Sequence, residues 1–435
     1  MKKMIISPLI IFFFSFYSCN TTEPTVGNTL ALKLEDVSCT EAWITLTTAN
    51  LQLPAEINFV RTDPDGNTSS QISILTTQDS LLYIDSLLPN TSYKFQASSI
   101  ENPVSSNEIT AATLDTTSHN FTFETWTFGE HSSSVLYDVA IIDENNIWAV
   151  GEIYMNDSLG QPDSKRYNAI RWNGANWDII RIPYNYQGTD FYHPIQSTFA
   201  FGSNDIWFCG NGVIHWEGKS FIPIAIPTNV WGPYQMNKIW GSSSNDLYVV
   251  GNEGNIAHYQ NGQWSRITSG TELHIYDIWG NYNDIADNYE IIAIAANRAL
   301  NFNKAILRIN SLNNIILLST DGIPYSIHSI WFKNKTYYVV GSGMYKKNDI
   351  TSSIDWQSLH QGISNYYLES ISGNDLNDII VCGDFGELIH FNGVTWKSYR
   401  DNFSGILLGE VLLKNDLVVI VGFDGQKAFI TLGQR

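Results

Sequence analysis

The chain has 435 residues, of which 13% are aromatic and only 15% charged, and its formal net charge is -19. This length allows two or three domains, and the composition is typical of β-rich proteins outside the cytoplasm rather than of helical cytosolic ones. No block of Lys or Arg offers a surface for phosphate groups, which argues against nucleic acid as a partner.

The N-terminus has the features of a signal peptide over residues 1–19, because Lys2 and Lys3 precede a short apolar run at 5–17. The run ends in FYSC (16–19), which resembles a bacterial lipobox with Phe and Tyr at two unusual positions. The resemblance implies a lipid anchor on Cys19 and a polar tether at 20–26, with ordinary secretion as the alternative. We therefore expect a bacterial cell-envelope protein, an outer-membrane lipoprotein facing the periplasm or the exterior, or else a secreted protein.

Residues 27–115 contain short alternating strands separated by turn signals, the pattern of a β-sandwich. The segment 88–97 (LPNTSYKFQA) resembles the tyrosine-corner segment of fibronectin type III modules, and the resemblance implies that fold, with a spacer role. Leu46 stands where that family places its core Trp. Trp43 should then point to the other face, where it packs on the next domain or the tether or is an incidental surface residue. The DPDGN stretch at 63–67 favours a hairpin turn over a metal site.

From residue 135 to the end, the sequence repeats a unit of apolar strand, polar turn, strand closing on Gly, and Trp-led strand. Successive copies are 39 to 59 residues apart, about the length of a four-stranded propeller blade. Equivalent strand-end positions number seven: Gly151, Gly210, Gly251, Ala295, Gly341, Gly383 and Gly422.

The last copy lacks its Trp-led strand, whereas residues 121–128 (FTFETWTF) before the first copy carry an unassigned one with Trp126. Sharing one blade between the two ends would pair the open edge strand. The predicted fold class is all-β: a fibronectin type III-like β-sandwich at 27–115, then a seven-bladed β-propeller at 119–435 closed by its N-terminal strand. The turns NGANW (173–177) and NGQW (261–264) resemble those of bacterial propeller lipoproteins and, loosely, of photosystem II assembly-factor propellers.

In such a ring, short Asn-Asp and Asn-Gly turns would lie on one face and long connections on the other. The long connections expected are 152–167, 183–194, 227–235 and 342–355, and variable loops over a regular scaffold favour a binding site. Exposed aromatic side chains there could stack on sugars or anchor a peptide, or simply cap the blades. The candidate ligand-binding residues are Tyr154, Tyr184, Tyr186, Tyr192, His193, Trp231, Tyr234, Tyr366 and Tyr367.

Catalytic and metal motifs are not apparent in the sequence. His215, His258 and His390 share one repeat position, which explains them without a metal, and Cys209 and Cys382 share another, where small core residues are expected. We expect no cofactor. The Arg-Ile-Pro around Arg181 resembles a sialidase signature, but it follows a Trp-led outer strand, away from the ring axis.

The sequence thus predicts a non-enzymatic binding or scaffolding lipoprotein whose long-loop face engages a glycan or a protein. Two alternatives remain open: a carbohydrate-active lyase or hydrolase on the same face, and an assembly factor for an envelope complex. Arg, His or acidic side chains converging at the channel mouth would favour the enzyme.

Overall fold

The computed structural model describes residues 27–283, 288–298, 300, 302–310, 314–359 and 362–435. The signal peptide, Cys19 and the tether predicted for residues 1–26 lie outside the described residues. The predicted all-β class is confirmed, since the only helical segments described are three 3-10 turns: η1 (Asn252–Gly254), η2 (Asp384–Gly386) and η3 (Arg400–Asn402). No helix in these ranges is both long and apolar enough to cross a membrane.

The described part of the chain divides into two compact units. The smaller unit comprises the described residues up to Lys33 together with Thr45–Leu82 and Tyr93–Thr110. The larger unit comprises Leu34–Ile44, Tyr83–Ser92 and Ala111–Arg435.

Two antiparallel sheets form the N-terminal domain, in the orders β1-β2-β5 and β4-β3-β6-β7. The strands are β1 (Thr29–Val37), β2 (Ala42–Ala49), β3 (Ala55–Thr62), β4 (Thr68–Leu75), β5 (Asp79–Ile84), β6 (Ser92–Ser99) and β7 (Ile109–Ala112). The DPDGN stretch is the β3–β4 turn, in which Asp63 accepts a 2.8 Å hydrogen bond from the Asn67 backbone and Gly66 has φ 82°. Leu46 is fully buried, as predicted. Trp43 is also fully buried, so its interpretation as an incidental surface residue is wrong.

The larger unit contains seven four-stranded antiparallel sheets within the described ranges. Sheet 1 has β9 (Val135–Asp143), β10 (Asn146–Ile153), β11 (Tyr167–Trp172) and β12 (Trp177–Ile180). Sheet 2 has β15 (Ile195–Gly202), β16 (Asp205–Gly210), β17 (Val213–Trp216) and β18 (Phe221–Ile224), and the hairpin β13 (Tyr184–Tyr186) and β14 (Thr189–Phe191) precedes it. Sheet 3 has β19 (Met236–Ser243), β20 (Asp246–Gly251), β21 (Asn255–Gln260) and β22 (Gln263–Thr268).

The remaining sheets follow the same order along the chain. Sheet 4 has β23 (His274–Asn283), β24 (Asn288–Ala296), β25 (Lys304–Ile309) and β26 (Ile315–Leu318). Sheet 5 has β27 (Ile327–Lys333), β28 (Thr336–Gly341), β29 (Gly343–Asn348) and β30 (Gln357–Ser358). Sheet 6 has β31 (Leu368–Asp375), β32 (Asp378–Gly383), β33 (Leu388–Phe391) and β34 (Trp396–Ser398).

Sheet 7 combines strands from both ends of the larger unit. It has β35 (Leu407–Lys414), β36 (Leu417–Asp424) and β37 (Lys427–Gln434), and its fourth strand is β8 (Thr122–Phe128). β8 and β37 are antiparallel, from Phe128 opposite Ala428 to Thr122 opposite Gln434. The Trp126 ring reaches the neighbouring sheet 1, where its centre lies 5.5 Å from that of Trp172.

Apolar layers between neighbouring sheets form the core of the larger unit. The second strand of each sheet is buried on both faces, which explains why these strands are continuous apolar runs rather than alternating ones. One cluster joins Leu136 and Ile147 of sheet 1 to Val419 and Ile430 of sheet 7. Burial of each such side chain contributes about 1.5–3 kcal/mol to folding. Cys209 and Cys382 are free and buried in equivalent layers, as predicted.

The glycine that ends most second strands is required by close approach of the first strand. A Cβ at Gly151 would lie 2.1 Å from the Val135 carbonyl oxygen, and one at Gly341 would lie 2.5 Å from that of Ser326. In sheet 4 the equivalent position is Ala295, which pairs with Ile275.

One predicted long connection is wrong. Residues 342–355 do not form a loop on the long-loop face, because β29 begins at Gly343, paired with Gly341. The loop follows β29 instead. Because Asn348, the last residue of β29, pairs with Thr336, this loop lies at the same end of the sheet as the short β27–β28 turn.

Candidate binding site at the channel mouth

Each of the seven first strands has a register shift near its start, which leaves one residue without a partner on the second strand. Such a bulge bends the strand and re-aims its side chains. We call these unpaired positions the mouth ring, because each stands near the start of a strand that lines the central cavity. Its members are Tyr137, Gln196, Asn237, Tyr276, His328, Glu369 and Gly409.

The residue after each mouth-ring position lies on a first strand beside a central cavity of about 110 Å³, which is lined by the first strands of all seven sheets. We call this second set the channel ring: Asp138, Ser197, Lys238, Asp277, Ser329, Ser370 and Glu410. Lys238 Nζ lies 2.6 Å from Glu410 and 3.1 Å from Asp138. The hydroxyl groups of Ser197 and Ser370 donate to Asp138 and Glu410, so the carboxylates have partners from several strands.

Burial dominates the electrostatics of the channel ring. It acts to lower the pKa of Lys238, but the surrounding carboxylates, Asp138 first, outweigh it and hold that pKa well above its ordinary value. Burial raises the pKa of Glu410, against the opposing charge of Lys238. The ring is a network of charges and hydroxyl groups that links several first strands across the channel, and we assign it a structural role.

A second charged group lies at the mouth beside sheets 4, 5 and 6, and we call it the rim cluster. It comprises three mouth-ring residues and two residues from adjoining loops: Tyr276, His328, Glu369, Arg298 and Tyr367. Arg298 Nη2 lies 2.6 Å from Glu369 Oε1, and His328 Nδ1 lies 3.1 Å from Glu369 Oε2. The Arg298 guanidinium stands 4.6 Å above the Tyr367 ring and 6.0 Å from that of Tyr276.

The rim cluster is partly open to solvent, unlike the channel ring. The Arg298 side chain is 41% exposed, whereas that of Glu369 is 7% exposed. Burial lowers the pKa of His328 and raises that of Tyr367 to about 12, so both are neutral near pH 7. The cluster therefore presents an oriented guanidinium, aromatic faces and neutral polar groups, which suits recognition of a polar ligand more than general-base chemistry.

A smaller cluster occupies the mouth at sheet 1. Tyr137 and Tyr154 each donate a 2.8 Å hydrogen bond to the Glu152 carboxylate, and Arg166 Nη1 lies 2.6 Å from it. The Arg166 guanidinium is 5.3 Å from the Tyr154 ring. Because Tyr137 belongs to the mouth ring, the predicted residue Tyr154 lies at the same end of the channel as the rim cluster.

The other predicted ligand-binding residues are distributed over several sheets. Tyr184 and Tyr186 lie on the β13–β14 hairpin, with Tyr192 and His193 just after it; Tyr186 is 58% exposed. Tyr184 packs against Gly212, where a Cβ would lie 2.5 Å from its ring. His193 stacks on Phe191 with ring centres 5.7 Å apart.

The remaining predicted residues include one that is largely inaccessible. Trp231 is 6% exposed and donates a 2.8 Å hydrogen bond to the Tyr234 carbonyl oxygen, the arrangement of a capping residue. Tyr234 itself is 43% exposed. Tyr366 adjoins the rim cluster, with the Arg400 guanidinium 4.3 Å from its ring.

Sequence reasoning missed Tyr276, Arg298, His328 and Glu369. Three of these stand at the same repeat position, directly after the apolar residue of the first strand that pairs with the strand-end position of the second. Polar residues at that position in successive copies were the available signal. No such signal pointed to Arg298, because it lies in the β24–β25 loop of the most degenerate repeat.

The three repeat-position histidines hydrogen-bond acidic residues of the short turns. The ring nitrogen Nε2 of His215, His258 and His390 lies 2.8, 2.6 and 2.9 Å from Asp205, Asp246 and Asp378. Among the described residues no group of three or more His, Cys, Asp or Glu side chains could hold a metal ion. Arg181 pairs with Asp163 at 2.5 Å on the outer side of sheet 1.

Comparisons with known proteins give a fold but not a family. No protein-family model matches the chain, and no curated protein is significantly similar to it. A structure of YCF48 bound to a D1 peptide has a TM-score of 0.55 and 15% identity, covering 74% of this chain and 99% of that one. YCF48 from Cyanidioschyzon merolae gives 0.50 and 14%, covering 72% and 98%. These likenesses confirm the β-propeller fold, and at such identity they show the fold alone.

Proposed function

We propose that the protein is a non-enzymatic binding or scaffolding lipoprotein of the bacterial cell envelope, anchored through Cys19. In this proposal the ligand is a protein segment, engaged by the mouth of the propeller. The observation that carries it is the rim cluster: an oriented guanidinium between aromatic rings, open to solvent at the mouth of the channel. Peptide binding by a propeller of similar fold, YCF48, supports the choice of a protein over a glycan.

The proposed architecture has a fibronectin type III-like spacer and seven blades. Support for the spacer comes from its strand order, with three strands in one sheet and four in the other. Pairing of β8 with β37, and the apolar layer shared by sheets 7 and 1, support a ring closed by its N-terminal strand. A role as an assembly factor for an envelope complex fits the same surface.

Affinity capture from solubilised envelope membranes tests the proposal. Full-length protein should retain a specific set of proteins that Arg298→Ala loses, whereas Arg266→Ala, on the exposed outer strand of sheet 3, should keep it. Among the predicted aromatic residues, Tyr234→Ala is the variant to compare, because Tyr234 is exposed, whereas replacing buried Trp231 would disturb packing. Equal capture by all variants would refute binding at the rim cluster.

Fractionation of cells that produce the full-length protein tests the proposed lipid anchor on Cys19. Cys19→Ala should move the protein from the membrane to the soluble fraction. Unchanged membrane retention would contradict lipidation while leaving the ligand result intact.

One observation favours a second candidate, a carbohydrate-active lyase or hydrolase. Arg298, His328 and Glu369 do converge at the channel mouth, and burial followed by the charge of Glu369 raises the pKa of the nearby Asp384 carboxyl. Two carboxyl groups in different environments are a feature of glycosidases. Release of reducing ends or unsaturated sugars from a polysaccharide panel, abolished by Glu369→Gln, would establish this function instead.

A further inference from the structure

The strand β4 is an unprotected sheet edge in the N-terminal domain. It is the terminal strand in the order β4-β3-β6-β7, so one side of its backbone pairs with no strand among the residues that the structure describes. Ile72 and Ile74 are 62% and 65% exposed, and they project from the same face because side chains alternate along a strand. The twelve residues 67–78 contain no charged residue, no Pro and no Gly. Proteins usually protect long edges with these features, since bare edges pair with other chains.

The other edges of the two sheets carry the usual protection. β1 contains Lys33, Glu35 and Asp36, and β5 begins with Asp79. β7, at the far side of the same sheet as β4, has only four residues. The absence of protection is therefore particular to β4 among the described edges of this domain.

We propose that β4 is an interface at which two copies of this chain pair, edge to edge and antiparallel, about a two-fold axis. With the axis at Ser73, Ile72 of one copy lies opposite Ile74 of the other, and Ser70 lies opposite Thr76. The two isoleucine pairs then cover one another on the face where they are now exposed. The pairing joins the two four-stranded sheets into one eight-stranded sheet.

The edge is complementary to itself about Ser73, with Ile72 opposite Ile74 and Ser70 opposite Thr76, and this self-complementarity selects a second copy as the occupant. A chain of net charge -19 repels another copy of itself over most of its surface, and this repulsion opposes association. The uncharged stretch 67–78 is a place where two copies can meet without bringing like charges into the ladder. One strand pair buries less area than a standard stable interface, so the dimer is a weak one, in the micromolar range.

Light scattering over a concentration series up to about 100 µM, the upper part of that range, tests the interface on the full-length chain. The wild-type average mass should rise towards twice the monomer mass. Ile72→Lys with Ile74→Lys should remain monomeric, with association weakened at least about 10-fold, the effect of about 1.4 kcal/mol. Leu88→Lys is the matched control, because Leu88 is also 65% exposed but lies outside the strands, and it should dimerise like the wild type. Circular dichroism checks that each variant is folded.

A cysteine placed on the axis provides an independent test. Opposed residues of an antiparallel pair are close enough for a disulfide, so Ser73→Cys should give a covalent dimer on mild oxidation, beyond any formed by the wild type. The described native cysteines, Cys39, Cys209 and Cys382, are buried. A wild type that stays monomeric at every concentration, or a Leu88→Lys variant that dissociates equally, would overturn the proposal. So would capture of an extended segment of another protein at β4 by a monomeric chain.

Discussion

The channel ring and the rim cluster are neighbours, since Tyr276, His328 and Glu369 each directly precede a channel-ring residue, yet their environments differ. Both contain a cation paired with carboxylate: Lys238 with Glu410 and Asp138 in the channel, and Arg298 with Glu369 at the mouth. The Lys238 side chain is 20% exposed and reaches carboxylates from two other sheets, whereas that of Arg298 is 41% exposed and lies over a tyrosine ring. The same bulge thus produces a mostly buried network that joins sheets and, one residue earlier, a surface that a ligand can reach.

The two groups also respond to pH in opposite directions. Burial favours the protonated form of the Glu410 carboxyl and the neutral form of the His328 imidazole. The folded state therefore holds an extra proton at Glu410 and lacks one at His328, relative to the unfolded chain. Stability measurements can separate the two groups on this basis.

The largest effect is expected from Lys238→Met, which removes the cation of the channel ring. It leaves Asp138 and Glu410 buried without their ion-pair partner, and the free energy of unfolding should fall by about 3 kcal/mol. This is the lower end for a broken buried pair, because Glu410 can take up a proton. Denaturant unfolding measures the change.

Lys219→Met is the matched control, since Lys219 is exposed between β17 and β18. It should change stability by no more than about 0.5 kcal/mol. If Lys238→Met were equally mild, the channel ring would not have the structural role assigned to it.

An intermediate effect is expected from pH, with opposite slopes for the two groups. The Glu410 pKa is raised from 4.5 to about 7, so its contribution is present at low pH and is lost as pH rises through that window. The wild type should therefore lose stability relative to Glu410→Gln as pH rises from 4.5 to about 7. The pKa of His328 is lowered, so the wild type should instead lose stability relative to His328→Asn as pH falls below about 6.5.

Melting temperatures of the wild type and both variants over this pH range give the two slopes. His193→Asn serves as the control for the histidine, because His193 is exposed after the β13–β14 hairpin. Parallel slopes for Glu410→Gln and His328→Asn would show that the two groups do not differ in the way described.

The smallest effect on stability is expected from Arg298→Ala. The side chain is more than one-third exposed and its ion pair is screened by solvent, so the loss should be about 1 kcal/mol or less. A loss as large as that expected for Lys238→Met, measured by the same denaturant unfolding, would assign the rim cluster to the scaffold. In that case, a loss of captured proteins by Arg298→Ala could result from the loss of stability, and the capture experiment would not test binding alone.

Much of the fold could be predicted because the repeat is visible in the order of residues along the chain. The apolar run, the strand-end glycine and the Asn-Asp turn recur every 39 to 59 residues, and the unassigned strand with Trp126 could be matched to the incomplete last copy. The error at residues 342–355 arose because the glycine at 343 permits a strand to resume after a single residue, which composition does not reveal.

The candidate site was predicted only in part. Tyr154, Tyr366 and Tyr367 lie at the mouth, but Trp231 is buried, since an aromatic residue in a loop is equally suited to capping and to binding. Arg298 is brought to Glu369 from 71 positions earlier in the chain, and no local pattern announces that approach.

The sequence by itself determined the all-β class, the repeated sheet and the order of its strands, because hydrophobic periodicity and turn chemistry act over a few residues. Only the tertiary structure decided which polar residues of the first strands are mostly buried in the channel and which lie at its mouth. That choice depends on a bulge in each strand and on the partners that six other sheets supply, and charges separated along the chain interact only after the sheets are packed together.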